Sequence, residues 1–176
     1  MTESTVPLLD VPEAARERLL ALGATEESFS SKLYRALANE PDLLIGWLEL
    51  AWRLRQDRKT STRLRELMIV RGAQLSDCEF ELIGHQIRAR AAGVTADELD
   101  EVAAWESSQL FSEQERLAFA FMEESVTGKT SDATLAALSQ AFDPAERIEL
   151  VLTASFYCMV PRVVDALRLV RDKPAG

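Results

Sequence analysis

The sequence predicts an all-α chain, a bundle of about eight or nine helices. Three observations predict it. Apolar residues recur at helical spacing in one stretch after another, and Gly or Pro closes most of them. Thr95 with Glu98, and Ser112 with Glu115, have the spacing of a capping box, in which each side chain satisfies a free N–H at a helix start. No period-two alternation is sustained, and no Asn-Gly or Asp-Gly turn joins two apolar runs, so no hairpin competes.

The elements follow in order. Asp10 is placed to cap a helix over Pro12 to Leu22, and Gly23 ends it. Thr25 is placed to cap the next, EESFSSKLYRALA, which must stop before Pro41. PDLLIGWLELAWRLRQ is apolar on most faces, which predicts deep burial. DRKTST is a polar connection. RLRELMIVRGAQL sets Leu64, Leu67, Met68 and Gly72 or Leu75 at helical spacing, and CEFELIGHQIRARAA follows up to Gly93. ERLAFAFMEESV ends at Gly128, and a short helix covers Asp132 to Phe142. Asp143–Pro144 opens a last helix running to about Arg171, with Pro161 inside it as an expected kink. The whole chain, 1–176, is expected to form one domain, with 1–59 as an N-terminal helical layer.

Composition narrows the function classes. A net charge of −9 disfavours nucleic acid as a partner, because phosphate binding needs clustered Lys and Arg. The longest charge-free apolar run, Leu150 to Pro161, is 12 residues, short of the roughly 20 that span a bilayer, so no membrane partner is expected. The N-terminus has no basic region followed by an apolar core and is not read as a secretory signal. Cys78 and Cys158 make no disulfide framework, which points to reduced thiols and a cytoplasmic location. There is no G-x-G-x-x-G and no phosphate-binding loop, so no cofactor is called for.

One stretch concentrates chemistry. Residues 77–85, DCEFELIGH, hold one cysteine, two glutamates and the single histidine of the chain. On a helix Glu81 and His85 are four apart and lie on one face, within hydrogen-bonding reach. Cys78 shares that stripe but stands about 10 Å from His85 along the axis, so Glu81 lies between them. Phe80, Leu82 and Ile83 are left to pack in the core. A Glu–His pair at this spacing is also common on solvated helices, and a lone cysteine is usually a small buried hydrophobe.

The run RLRELMIVRGAQLSDCEFELIGHQIRARAAGVTADELDEV resembles the carboxymuconolactone decarboxylase family, which includes the alkylhydroperoxidase D-like proteins. Arg63, Arg65 and Glu66 match the family's Arg-x-Arg-Glu piece, and Cys78 falls where the first motif cysteine belongs. Glu81 stands at the second motif cysteine, a position that is glutamate in some members, and His85 matches the motif histidine. AAGVTADEL, residues 91–99, matches the following turn, so the clear likeness covers about residues 60–105. The resemblance implies an alkylhydroperoxidase D-like helical bundle assembled as a trimer or hexamer. It also implies a site of Glu66, Glu81, His85 and Cys78 in a cleft near a subunit interface, taking a small-molecule substrate.

The residues then divide the possible chemistries. A two-thiol peroxidase needs a resolving cysteine, and Glu81 stands in its place. Cys78 gains thiolate stabilisation near a helix N-terminus, but Asp77, Glu79 and Glu81 oppose it. What remains is an acid–base set: His85 titrates near neutral pH, Glu81 can hold one ring nitrogen and Glu66 can serve as second base or complete a relay. Such a set suits decarboxylation of a lactone acid, whose carbanion must be protonated. Arg71, Arg88, Arg90 and Arg162 are candidate cations for an anionic substrate, with surface ion pairing as the ordinary alternative. A single histidine is a poor ligand supply, so no metal is called for. Trp47, Trp52, Trp105, Phe119 and Phe121 read as core or subunit contacts more readily than as a pocket lining. Three functions remain: an acid–base lyase, a thiol peroxidase using Cys78, and a non-catalytic oligomeric small-molecule-binding protein.

Overall fold

The computed structural model describes residues 4–56 and 58–169. Among them there are nine α-helices, two 3-10 turns and no strand. None of these helices is long and apolar enough to cross a membrane. The chain divides into two compact units, Met1–Gln56 with Arg162–Gly176, and Asp57–Pro161.

In the first unit α1 (Glu13–Ala21) and α2 (Lys32–Leu37) both pack on α3 (Pro41–Arg55). Three sequence expectations are corrected here. Asp10 does not cap α1: the N-cap is Pro12, extended at φ −59° and ψ 147°, whose carbonyl already takes the Ala15 and Arg16 N–H groups. Asp10 lies outside the turn and pairs with Arg35 at 3.8 Å. The stretch after Thr25 is two elements, a 3-10 turn over Glu26–Ser30 and then α2, and the Thr25 side chain caps neither. The Ser28 and Ser30 hydroxyls donate to the Thr25 and Glu27 carbonyls at 2.6 Å each, the local bonding by which serine competes with a continuous helix. Finally, α3 buries one stripe, Leu44, Leu48, Ala51 and Leu54, whereas Leu43 is 69% exposed and Leu50 40%. An apolar sequence on several faces did not mean burial on all of them.

The second unit is organised around α4 (Thr62–Leu75), which packs along both α5 (Glu79–Ala91) and α7 (Glu113–Thr127). Leu67 and Val70 from α4 meet Ala89, Val94, Leu99, Val102, Phe111 and Phe119 in one buried cluster, with Leu82 and Trp105 against it. Phe119 is thus core, and Trp105 is half-buried against it. The α4–α7 approach is close because Gly72 has no side chain: a Cβ there would lie 2.0 Å from the Met122 methyl carbon.

The expected punctuation holds in this unit. Both capping boxes form, Thr95 with Glu98 opening α6 (Ala96–Glu101) and Ser112 with Glu115 opening α7. Gly128 closes α7 in the left-handed region at φ 81°, which glycine adopts without a Cβ clash. Arg63 joins the two boxes, donating to Glu98 Oε1 at 2.6 Å and to Glu115 Oε1 at 2.8 Å. Helix α8 (Asp132–Ala141) follows, capped by Ser131. The last helix, α9, spans Pro144–Ala166 with Pro161 inside it. It stops short of the expected Arg171, which lies outside the described residues. Arg168 turns left-handed at φ 54°, and the Leu169 N–H bonds back to the Val164 carbonyl, which terminates the helix.

Candidate active site

A tight turn between α4 and α5 sets up the site. Asp77 sits at φ 47°, the Cys78 N–H bonds to the Ala73 carbonyl at 3.0 Å, and Cys78 becomes the N-cap of α5. The two helices run side by side from there. Glu66 from α4 and His85 from α5 meet at 2.6 Å, carboxylate Oε2 to ring Nδ1. One helical turn before His85, Glu81 Oε2 lies 3.2 Å from the other ring nitrogen, Nε2. All three are buried: His85 is 3% exposed, Glu66 4% and Glu81 7%.

Three of the four expected residues are therefore brought together, and both nitrogens of the imidazole are engaged. Burial by itself would push the His85 pKa down. The charges and hydrogen bonds of Glu66 and Glu81 outweigh that, and the net shift is upward from the ordinary 6.5. As imidazolium the ring donates both N–H groups, one to each carboxylate. As neutral imidazole it keeps one donor, and its other nitrogen becomes an acceptor toward the facing carboxyl group. A proton accepted at one nitrogen can thus be released at the other. His85 thus stands between two carboxyl groups, one from each helix.

Cys78, the fourth residue, is buried at the start of α5, one turn before Glu81, and its carbonyl receives the Glu81 and Leu82 N–H groups. Neither Cys78 nor Cys158 is in a disulfide. Among the described residues no group of three His, Cys, Asp or Glu is arranged to hold a metal ion. Both imidazole nitrogens are already committed to carboxylates. Of the candidate cations, Arg71 is bound to Glu123 at 2.6 Å, and Arg88, Arg90 and Arg162 are exposed.

Helix α9 adds a residue that sequence reasoning missed. The Tyr157 ring lies edge-on to His85, with centroids 4.7 Å apart and planes at 83°. In sequence, SFYCMV reads as core, and Tyr157 is indeed buried. Nothing in its local pattern says which residue it meets. At its other end α9 is fastened to the segment before α4. Glu149 Oε2 accepts from the Thr60 N–H at 2.9 Å and from the Thr60 hydroxyl at 2.8 Å. The buried Arg65 guanidinium, next in sequence to Glu66, in turn donates to the Thr60 carbonyl and hydroxyl.

Comparison with known proteins gives a family likeness and a shared fold. The profile of the carboxymuconolactone decarboxylase family matches residues 41–124. A curated relative, the uncharacterized protein YnjA of Escherichia coli K12, is 34% identical over 110 residues, 61% of this chain. The match spans 58% of that relative's length. An alkylhydroperoxidase AhpD core, an uncharacterized peroxidase-related protein of Ralstonia eutropha, superposes with a TM-score of 0.79 at 17% identity, over 98% of this chain and 94% of its own. A peroxidase-related protein of Silicibacter gives 0.75 at 17% identity, over 97% and 94%. At such identities these two structures show a shared fold.

Proposed function

We propose that this chain, which matches the carboxymuconolactone decarboxylase family over residues 41–124 and has an alkylhydroperoxidase D-like fold, is a cofactor-independent acid–base enzyme of the decarboxylase or lyase type. Its substrate is a small carboxylated or lactone-type molecule. The observation that carries this reading is the buried Glu66–His85–Glu81 row, with a carboxylate on each ring nitrogen. In the step we propose, the bond to the substrate carboxylate breaks, carbon dioxide leaves, and the electron pair remains as an enolate. Glu81, the less buried of the two carboxyl groups, delivers a proton to that carbon. His85 reprotonates Glu81 from one nitrogen and is refilled through the other, so one proton is consumed per carbon dioxide released. Positioned acid–base groups of this kind are worth about 100- to 10,000-fold in rate.

A thiol peroxidase using Cys78 is the second reading, favoured by the place of Cys78 at the N-terminus of α5, where backbone N–H groups stabilise a thiolate. Glu81 in the position of the resolving thiol argues against it. The test offers carboxymuconolactone, and separately cumene hydroperoxide with dithiothreitol, to the parent and to His85→Asn, Glu81→Gln and Cys78→Ala. We expect lactone turnover to vanish in His85→Asn, to fall in Glu81→Gln and to persist in Cys78→Ala. Hydroperoxide consumption that disappears with Cys78 alone would overturn the first reading in favour of the second. Three folded variants indistinguishable from the parent would favour a non-catalytic binding protein. We also propose self-assembly into a trimer or hexamer. The exposed Ile148, Val151, Leu152 and Met159 of α9 support it, and a monomer mass by light scattering would refute it.

A further inference from the structure

Thr153 is 1% exposed, and its hydroxyl has no hydrogen-bond partner among the described residues. That is unusual, because buried hydroxyls are nearly always bonded. A hydroxyl inside a helix has an easy solution, the carbonyl four residues back, and this chain uses it elsewhere. Ser125 Oγ donates to the Phe121 carbonyl at 2.7 Å, and Ser139 Oγ to the Leu135 carbonyl at 2.9 Å. Thr153 does not take the Glu149 carbonyl, so its hydroxyl is left unspent.

Its place follows from its neighbours on α9. Glu149, Thr153 and Tyr157 are spaced by four and form one stripe, each step about 6 Å along the axis. Glu149 is bonded to Thr60 just before α4, and Tyr157 lies on His85. Thr153 stands midway between these two contacts. On α4, Glu66 is six residues beyond Thr60, or about 9 Å along the chain direction. Thr153 therefore lies on the stripe of α9 that meets Thr60 at one end and His85 at the other, beside the helix pair that carries Glu66 and His85.

The geometry points to Thr153 as a substrate-binding residue, whose hydroxyl holds a carboxylate or lactone oxygen of the small molecule presented to the Glu66–His85–Glu81 relay. This rests on the acid–base reading above and names the group that orients its substrate. A threonine here can donate to an anionic oxygen without adding charge beside two carboxylates, which a lysine or arginine would neutralise.

The test uses Thr153→Val, which keeps the shape and removes the hydroxyl, and Thr153→Ser, which keeps the hydroxyl. Because His85 is the single histidine, its ring ¹⁵N signals report the site directly. Furan-2-carboxylate, a planar ring acid, is titrated into each protein while those signals are followed, and melting temperatures are measured alongside. We expect Thr153→Val to melt higher than the parent yet bind the probe about ten- to a hundredfold more weakly, the loss of one bond to a charged oxygen. Thr153→Ser should bind within a few-fold of the parent. A Thr153→Val protein that binds the probe like the parent, or a parent whose His85 signals do not respond to it, would overturn the assignment. Failure of the acid–base reading would show separately, as lactone turnover that survives His85→Asn.

Discussion

Replacing Glu66 by Gln tests the heart of the site. The amide keeps the size and one acceptor oxygen but removes the charge that faces His85 Nδ1 at 2.6 Å. Burial of the ring then acts against Glu81 alone, so the His85 pKa should fall from its raised value. Stability should follow. A group whose folded pKa is raised contributes most below its unfolded pKa, here about 6.5, and the contribution fades as pH rises through the folded pKa. At pH 6 Glu66→Gln should therefore lose about 2 kcal/mol, the worth of a buried charge-assisted hydrogen bond, or roughly 4–8 °C in melting temperature for a chain of this length. The deficit should shrink as the pH passes the parent's His85 midpoint. The assay is the ring ¹⁵N titration of the single histidine, with thermal melts from pH 5 to 9. An imidazole that titrates in Glu66→Gln where it does in the parent, or higher, would refute the argument.

Two further outcomes follow from the same unit. The bond from Arg63 holds the Glu98 carboxyl down from 4.5 to about 2, so its contribution is present above pH 4.5 and lost as pH falls below that. Both side chains are partly exposed, so Arg63→Ala should cost only about 1–2 kcal/mol at pH 7, and less at pH 3, in urea denaturation. Gly72→Ala should destabilise by about 1 kcal/mol despite the better helix propensity of alanine, because the new methyl must displace the fully buried Met122 side chain; a thermal melt above the parent's would contradict this.

How much of this was legible in sequence depends on the reach of each interaction. The capping boxes at Thr95 and Ser112 and the Glu81–His85 pair span three or four residues, so helical geometry alone predicts them. Asp10 shows the limit even at short range: a plausible cap residue was pre-empted by the extended Pro12, whose conformation depends on the chain around it. The Glu66–His85 contact joins two helices, and only the family resemblance pointed to it. Tyr157 and Thr153 belong to a third helix far along the chain. The apolar surroundings of Tyr157 suggested core, which is true, and Thr153 drew no reading at all, because the contact with His85 and the unspent hydroxyl depend on how α9 lies against the other two.

Thr60 carries a consequence for how this segment tolerates change in length. Its N–H and hydroxyl are taken by Glu149, and its carbonyl and hydroxyl receive Arg65, so every polar atom of the residue is in use. Shifting the chain by one residue between Thr60 and Ser61 would detach the Thr60 carbonyl and hydroxyl from Arg65 and take two partners from a buried guanidinium. Insertions, deletions and new chain ends should therefore be excluded from this joint.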